Sequence, residues 1–564
     1  MDEYDLVIVG AGIFGLPVAK TYLEVSPYSK VLVLDANKSI GGTWSAERMY
    51  DELRSNNLVG MLEYSDFPMD FETFGVASGS HIPGPIIHTY LKAYAKKFGV
   101  YERIRFRSWV QSAELLDDGN WSIIYREEDD QGSTKEVKLL AKKLVLATGT
   151  TTMPVMPNFV GGQTFNGHIF HFRDLPIRTE EMAAAKNIVV LGGSKSAADV
   201  AYLNAVRGRH VDWVIRASGR GPGWLATAFV SPLKTQFEKL ATRRILSFLN
   251  PCLEDDGYHW IRRLFHNTRI GRAFLGFLFG VILNDLIECG KYNDHPDTKK
   301  LIPHNNIYWS GTTVGIFNYP EDFFGMVRKG QISVHIEDID SLSHQKVHLA
   351  NGTDLEADVL VCATGWEHTP TVRMLPEKIS NSIGIFTATP SDSMVKAADE
   401  EVFRRFPELA DQPSVGPVAA RERDQTSWAL YRGTAPPAFL ESRNLAYCGM
   451  STSLRGCLVA EITALWITAL FDGKLSAPLP SQGEAEWQAL VQNRFYRWRA
   501  PMGLGSKSTD MVFETLPFVD TMLRDLGLNT VRKGGWREIF DCYGVKDYIG
   551  IVQEWLTKER KSES

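Results

Sequence analysis

Gly10, Gly12 and Gly15 form G-x-G-x-x-G directly after the apolar run "DLVIV" at residues 5–9. Glycine permits the tight turn at the first position. At the second it lets a pyrophosphate approach the backbone, and at the third it allows close packing of a helix whose N-terminus faces the anion. Asp35 ends the next apolar run, "KVLVLD", where a carboxylate can accept hydrogen bonds from ribose hydroxyls. These residues together specify a dinucleotide site. A second motif, "LGGSKSAAD" at residues 191–199, departs from the ideal pattern: Ser194 replaces the middle glycine and Ala197 the last. Small side chains still permit close approach, and Lys195 and Ser196 add phosphate donors. Arg216 ends the following run, with Arg220 close behind. A guanidinium there favours a 2′-phosphate, hence NADPH over NADH.

The elements that must position these groups can be read from the apolar periodicity. Residues 5–35 read as a βαβ unit. The runs "WSIIYREEDD" (121–130) and "EVKLLAKKLVLATG" (136–149) read as antiparallel strands that close it. "NIVVLGGSKSAADVAYL" opens a second βα unit, with "VDWVIR" as its next strand. Residues 247–284 are helical in pattern and rich in aromatics. Strands return in "QISVHIEDI", "KVHLANGTDLEADVLVCATGW" and "RNLAYCGM", followed by a helix over 458–473. The polar stretch 387–412 reads as an excursion over the surface. "FNGHIFHFRDLP" (165–176) fits neither a helix stripe nor an alternating strand.

The composition excludes several classes. The chain has 564 residues, 44% hydrophobic and 23% charged, with net charge -6. This length suggests two or more domains, and no basic excess points to nucleic acid. Six scattered cysteines without a C-x-x-C pair fit a reducing compartment and argue against a zinc site or a dithiol reductase. His168 and His171 have no Cys or carboxylate cluster nearby to make a metal site. The acidic start runs straight into a strand pattern, so the expected location is the cytoplasm. "AFLGFLFGVIL" (273–283) is too short for a helical membrane span, being closed off by Arg272 and Asp285. It is expected to be a buried helix or the wall of a greasy pocket, with peripheral membrane contact as the alternative.

At this point the chain resembles the class B flavin-dependent monooxygenases, the group of flavin-containing monooxygenases, N-hydroxylases and Baeyer–Villiger monooxygenases, including fungal natural-product members. The resemblance rests on the two glycine motifs, "GGTW" (41–44), the paired "ATG" turns at 147–149 and 363–365, and Phe165, Gly167 and His171 of an F-x-G-x-x-x-H fingerprint. "YDELRSNN" (50–57) is similar to the flavin-containing monooxygenase pattern Y-x-x-L-x-[ST]-N. The Baeyer–Villiger Tyr-Pro-Gly pattern after Trp44 is missing, and the fingerprint's terminal aromatic position is Leu175.

The resemblance implies an α/β fold of two Rossmann-like dinucleotide-binding domains, the FAD domain being interrupted by an inserted NADP domain. The expected boundaries are 1–160 (FAD, first part), 161–340 (NADP, with a helical insertion around 225–300), 341–480 (FAD, second part) and 481–564 (a C-terminal extension). Phe165–Pro176 would be the hinge strip between the two nucleotides. The expected cofactor contacts are Gly10, Gly12, Phe14, Gly15, Asp35, Gly42, Thr43, Trp44, Ser55, Asn57, Val110, Thr148, Gly192, Ser194, Lys195, Ser196, Asp199, Arg216 and Gly449. Asn56 is the expected catalytic amide, hydrogen-bonding both the C4a-(hydro)peroxyflavin and NADP+. NADPH would reduce FAD, O2 would add, and one oxygen atom would pass to a small organic, bulky and apolar substrate. Baeyer–Villiger insertion into a ketone, or a non-oxygenating NADPH/FAD-binding oxidoreductase or sensor, are the alternatives.

Overall fold

The computed structural model describes residues 1–230, 235–385, 391–414, 428–505 and 507–563. β1 (Asp2–Val9), α1 (Gly15–Val25) and β2 (Val31–Leu34) make the expected βαβ unit, with Leu6 opposite Val31 in parallel register. A short strand, β3 (Arg54–Leu58), follows. β4 (Ser108–Leu115), β5 (Trp121–Glu128) and β6 (Thr134–Leu146) form an antiparallel meander whose last strand runs parallel to β1. Alternation along β1 explains why this sheet is covered on both faces. Leu6 and Ile8 enter a helical core, while Val7 and Val9 enter the core beneath the meander with Trp121 and Tyr125.

The second sheet is built from β7 (His168–His171), β8 (Ile188–Leu191), β9 (Val211–Ile215), β10 (Ile332–Ile336) and β11 (Val359–Cys362), all parallel, in the order β10-β9-β8-β11-β7. α2 (Lys195–Val206) follows β8. After β9 the chain leaves the sheet through α3 (Phe237–Ala241), α4 (His259–Asn267) and α5 (Arg269–Cys289) before returning to β10. It then re-enters the first unit through α6 (Asp392–Arg405), β12 (Leu445–Tyr447), which pairs with β6, and α7 (Gly456–Phe471), which packs on α1. α8 (Gln482–Arg499), α9 (Thr515–Asp525) and α10 (Ile551–Glu563) end the fold. The chain is therefore α/β with two Rossmann-like units, the second inserted into the first.

Several sequence expectations need correction. "FNGHIFHF" does contain a strand: β7 sits at the sheet edge beside β11. Its one-sided contact explains the absence of a buried-strand pattern. The second unit does not end at 340, because β11 pairs inside its sheet, and the hairpin over 339–356 packs Leu342, Val347 and Leu355 against that sheet's face. The stretch 391–411 is no surface excursion: α6 packs against α8, and Ala398, Val402 and Leu409 are fully buried. Its many charges occupy the outer face, which masked the apolar stripe. Residues 387–390 lie outside the described residues. The C-terminal extension packs into the fold, with Phe495, Met522 and Trp555 in the core shared with α1 and α7. Finally, α5 is not a buried core helix. Among the described residues it is the one helix long and apolar enough to cross a membrane, yet only 17% of its most apolar window is buried.

Candidate active site

At the end of β1 the chain has little steric freedom. Gly10 has φ +114°, and a Cβ there would lie 2.3 Å from the Ala147 carbonyl oxygen; a Cβ at Gly15 would lie 1.9 Å from the Gly10 oxygen. Neither position tolerates another residue. A Cβ at Gly12, by contrast, would meet nothing closer than 3.7 Å and would face an open cavity. Phe14 precedes α1 without a side-chain cap; in the first turn the Leu16 N–H donates to the Gly12 carbonyl at 3.1 Å and Pro17 has no N–H, which leaves the Gly15 N–H as the first-turn donor for a ligand. Asp35 is buried at the end of β2, where the N–H groups of Ala11 and Asn37 donate to its carboxylate at 2.6 and 2.8 Å. Burial raises its pKa, and those two donors oppose the rise.

Gly10, Gly12, Phe14, Asp35, Gly42, Thr43, Trp44, Val110, Thr148 and Gly449 all line this one cavity of about 550 Å³. Arg48, Arg173 and Asp174 line it too, and sequence reasoning did not single them out. Arg48 donates to the Thr151 carbonyl at 2.9 Å and lies over the Trp366 ring; burial brings its pKa down to about 10. Arg173 and Asp174 come from the fingerprint stretch. One end of that stretch, Phe165, is buried in the second unit, and a Cβ at Gly167 would collide with the Asp358 carbonyl at 2.6 Å. The other end walls the cavity of the first. His171 lies between them, 1% exposed and held neutral because burial lowers its pKa to about 4. The stretch is thus a joint between the two units.

A smaller cavity of about 170 Å³ adjoins the first, and Ser453 lines both. Its walls come from widely separated parts of the chain, among them Asn56 and Asn57 of β3, Phe279 and Ile282 of α5, and Arg499, Val512 and Phe513 of the C-terminal segment. Asn56 is accessible to this cavity. Glu238 of α3 lines it as well, accepting hydrogen bonds from the Asn57 amide and from the Leu58 N–H at 3.2 Å. Burial pushes the Glu238 carboxyl up to about 7, against the pull of Leu58, Arg455 and Asn57. Neither Glu238 nor the C-terminal wall was legible beforehand, because each approaches from a segment with no motif of its own.

The remaining expected contacts are distributed differently. Ser55 is buried, donating to the Asn57 carbonyl and accepting from the Ile82 N–H at 3.1 Å, so it holds β3 in place outside the large cavity. Asn57 likewise faces Glu238 and the Leu454 carbonyl. At the second glycine turn, Gly192 has φ +149°, and Trp213 donates to its carbonyl at 2.6 Å. Ser194 is exposed at the start of α2, Ser196 is half-buried, and Arg216 directly follows β9. Lys195 does not present its ammonium at the helix mouth as expected. It turns inward to the Asp199 carboxylate and to Asn318 at 2.8 Å. Asp199 also accepts from Tyr50 at 3.1 Å and Tyr319 at 2.7 Å. This Lys195–Asp199 pair ties α2 to the loop before β3.

Residues 4–282 match the flavin-binding monooxygenase-like family model. The chain is 33% identical to the FAD-dependent monooxygenase rstn6 of Aspergillus nomiae over 98% of both chains. It is 32% identical to the FAD-dependent monooxygenase resA of Aspergillus sclerotiorum over 99% of both. Among solved structures, closed cyclohexanone monooxygenase superposes with TM-score 0.60 at 16% identity, covering 99% of this chain and 98% of that one.

Proposed function

The chain belongs to the flavin-binding monooxygenase-like family and is an FAD-dependent monooxygenase; from that premise we propose that it uses NADPH and O2 to place one oxygen atom on a small, bulky and apolar organic substrate held in the cavity beside Ser453. The observation that carries this reading is the shared wall. One cavity has the glycine turn, helix N-terminus and carboxylate that suit a dinucleotide, and it abuts an apolar cavity at Ser453. Gly10 and Gly12 would take the FAD pyrophosphate, Gly15 letting α1 pack close behind them, Asp35 would take its ribose, and the 41–44 turn with Val110, Thr148 and Gly449 the remainder. Bound FAD, reduced by NADPH, supplies the oxygen-activating chemistry.

The rest of the work falls to the protein's own side chains. Phe237, Phe279, Ile282, Ile316 and Phe513 exclude water from the substrate cavity. Asn56 offers an amide there as hydrogen-bond donor. Glu238, close to neutrality in pKa, can hold or release a proton at the cavity wall. Ser194, Ser196 and Arg216 would receive NADPH at the mouth of α2. Lys195 and Asp199 would act indirectly, by fixing α2.

The seat itself is testable. Gly12→Val places a branched side chain where the pyrophosphate must lie, yet meets no close protein atom. The variant should fold but purify colourless. Stoichiometric FAD in that variant would refute the placement.

A further inference from the structure

α5 has two unlike faces. Leu275 and Phe279 point inward, and Phe279 and Ile282 line the substrate cavity. Ile270, Phe274, Phe277 and Val281 form an outward stripe, 86%, 47%, 70% and 49% exposed. α4 extends this stripe with Trp260 at 69% and Leu264 at 56%, and the Phe265–Phe274 ring contact joins the two helices. Elsewhere among the described residues no helix exposes more than one such side chain, and Val155, Met156 and Val160 lie in a turn-rich segment. Isolated ones are ordinary; six on one helical pair are not.

The charge around this stripe is equally uneven. Residues 257–284 carry four arginines and no acidic residue, in a chain of net charge -6. Arg263 and Arg269 are exposed. Beside α4, Arg262, Arg263, Arg404, Arg405 and His259 face one open recess. Asp256, Glu401 and Asp255 pair with Arg262, the 404–405 arginines and His259. The recess is still dominated by guanidinium groups, which suit a phosphate diester.

We propose that the α4–α5 face docks on an anionic phospholipid surface, with Trp260, Leu264, Ile270, Phe274, Phe277 and Val281 among the acyl chains and the arginines at the headgroups. An apolar stripe flanked by arginines and a tryptophan is the composition of an interfacial helix rather than of a span. A second copy of the chain fits this face less well, because a two-fold contact would set the arginines of one copy against those of the other. Where the adjoining cavity is the substrate site, as proposed above, docking would place its α5 wall against the bilayer, a source of apolar substrate.

The test is co-sedimentation of the holoenzyme with vesicles of phosphatidylcholine alone and of phosphatidylcholine mixed with phosphatidylserine. The mixed vesicles should carry the enzyme down, and the neutral ones should bind far less. Phe274→Ser/Phe277→Ser should weaken binding on the order of tenfold or more. Arg263→Glu/Arg269→Glu should remove the preference for phosphatidylserine. FAD content and NADPH oxidation should be unchanged in both variants, so failure of docking and failure of the monooxygenase reading are separate results. No binding to either vesicle, equal binding to both, or undiminished binding by the phenylalanine variant would overturn the proposal. So would a concentration-dependent dimer abolished by that same variant, which would assign the face to a second copy.

Discussion

Asn56 and Arg216 carry the two residue-scale predictions. Asn56 lines the small cavity, while the groups proposed to grip FAD line the large one. Asn56→Ala should therefore leave FAD content nearly intact. Losing a donor that bound cofactor and substrate would bury costs about 1–3 kcal/mol, a several-fold to roughly hundredfold shift between productive oxygen transfer and release of hydrogen peroxide. The variant should consume NADPH while yielding mainly hydrogen peroxide, read by a peroxide assay against NADPH loss. Wild-type coupling would make Asn56 a structural residue of β3. Arg216→Ala should lower NADPH affinity by about 1.5–3 kcal/mol, roughly 10- to 100-fold, with NADH kinetics barely changed. Equal losses for both coenzymes would mean that Arg216 supports the fold alone. Arg216 was proposed from its place at the end of the run after the second glycine motif, and Asn56 from the similarity of residues 50–57 to a family pattern. Glu238 and Arg48 were not, since their roles arise from burial and from partners far away in sequence.

At the scale of elements, α7 illustrates how burial sets pH behaviour. Its Glu461 accepts from the Ser65 N–H and hydroxyl, both at 2.9 Å, and burial pushes its pKa up to about 8. A folded-state pKa above the unfolded value means that the stabilisation is full at low pH and is lost as pH rises through about 8. Glu461→Gln keeps an acceptor and a donor for Ser65 without the ionisation. Its melting temperature should gain on wild type as pH increases from about 6 to about 9. A gap independent of pH would contradict the buried, near-neutral carboxyl. Apart from the edge strand β7, the parallel strands and following helices of both nucleotide units were readable from the sequence, since buried parallel strands are short apolar runs between turn signals. α6 and the C-terminal helices were not. Their charged outer faces hide half-buried stripes, and only packing against α8 and α7 reveals which side matters. For α5 the sequence left a buried helix, a pocket wall and peripheral membrane contact open, because an apolar run does not say what covers it; Phe279 and Ile282 line the smaller cavity while its other face is exposed.

At the scale of the whole molecule, the two units meet along several contacts, among them Tyr50 to Asp199, Asn57 to Glu238 and Arg244 to Asp520. Pro154 bridges to Trp366, the Thr364 hydroxyl donates to the Val155 carbonyl at 2.5 Å, and the Phe165–Pro176 stretch contributes to both sides. This arrangement sets the cavity at the first glycine turn beside an apolar one, and in the proposed reaction the first feeds electrons and oxygen into the second. Anaerobic mixing of the purified yellow protein with NADPH, followed by readmission of air in a stopped-flow spectrometer, tests this most directly. The flavin absorbance should bleach with NADPH much faster than with NADH. It should then return through an absorbing species distinct from both oxidised and reduced flavin, before hydrogen peroxide accumulates. Binding of NADPH without bleaching, or bleaching followed by immediate reoxidation with no such species, would contradict a monooxygenase.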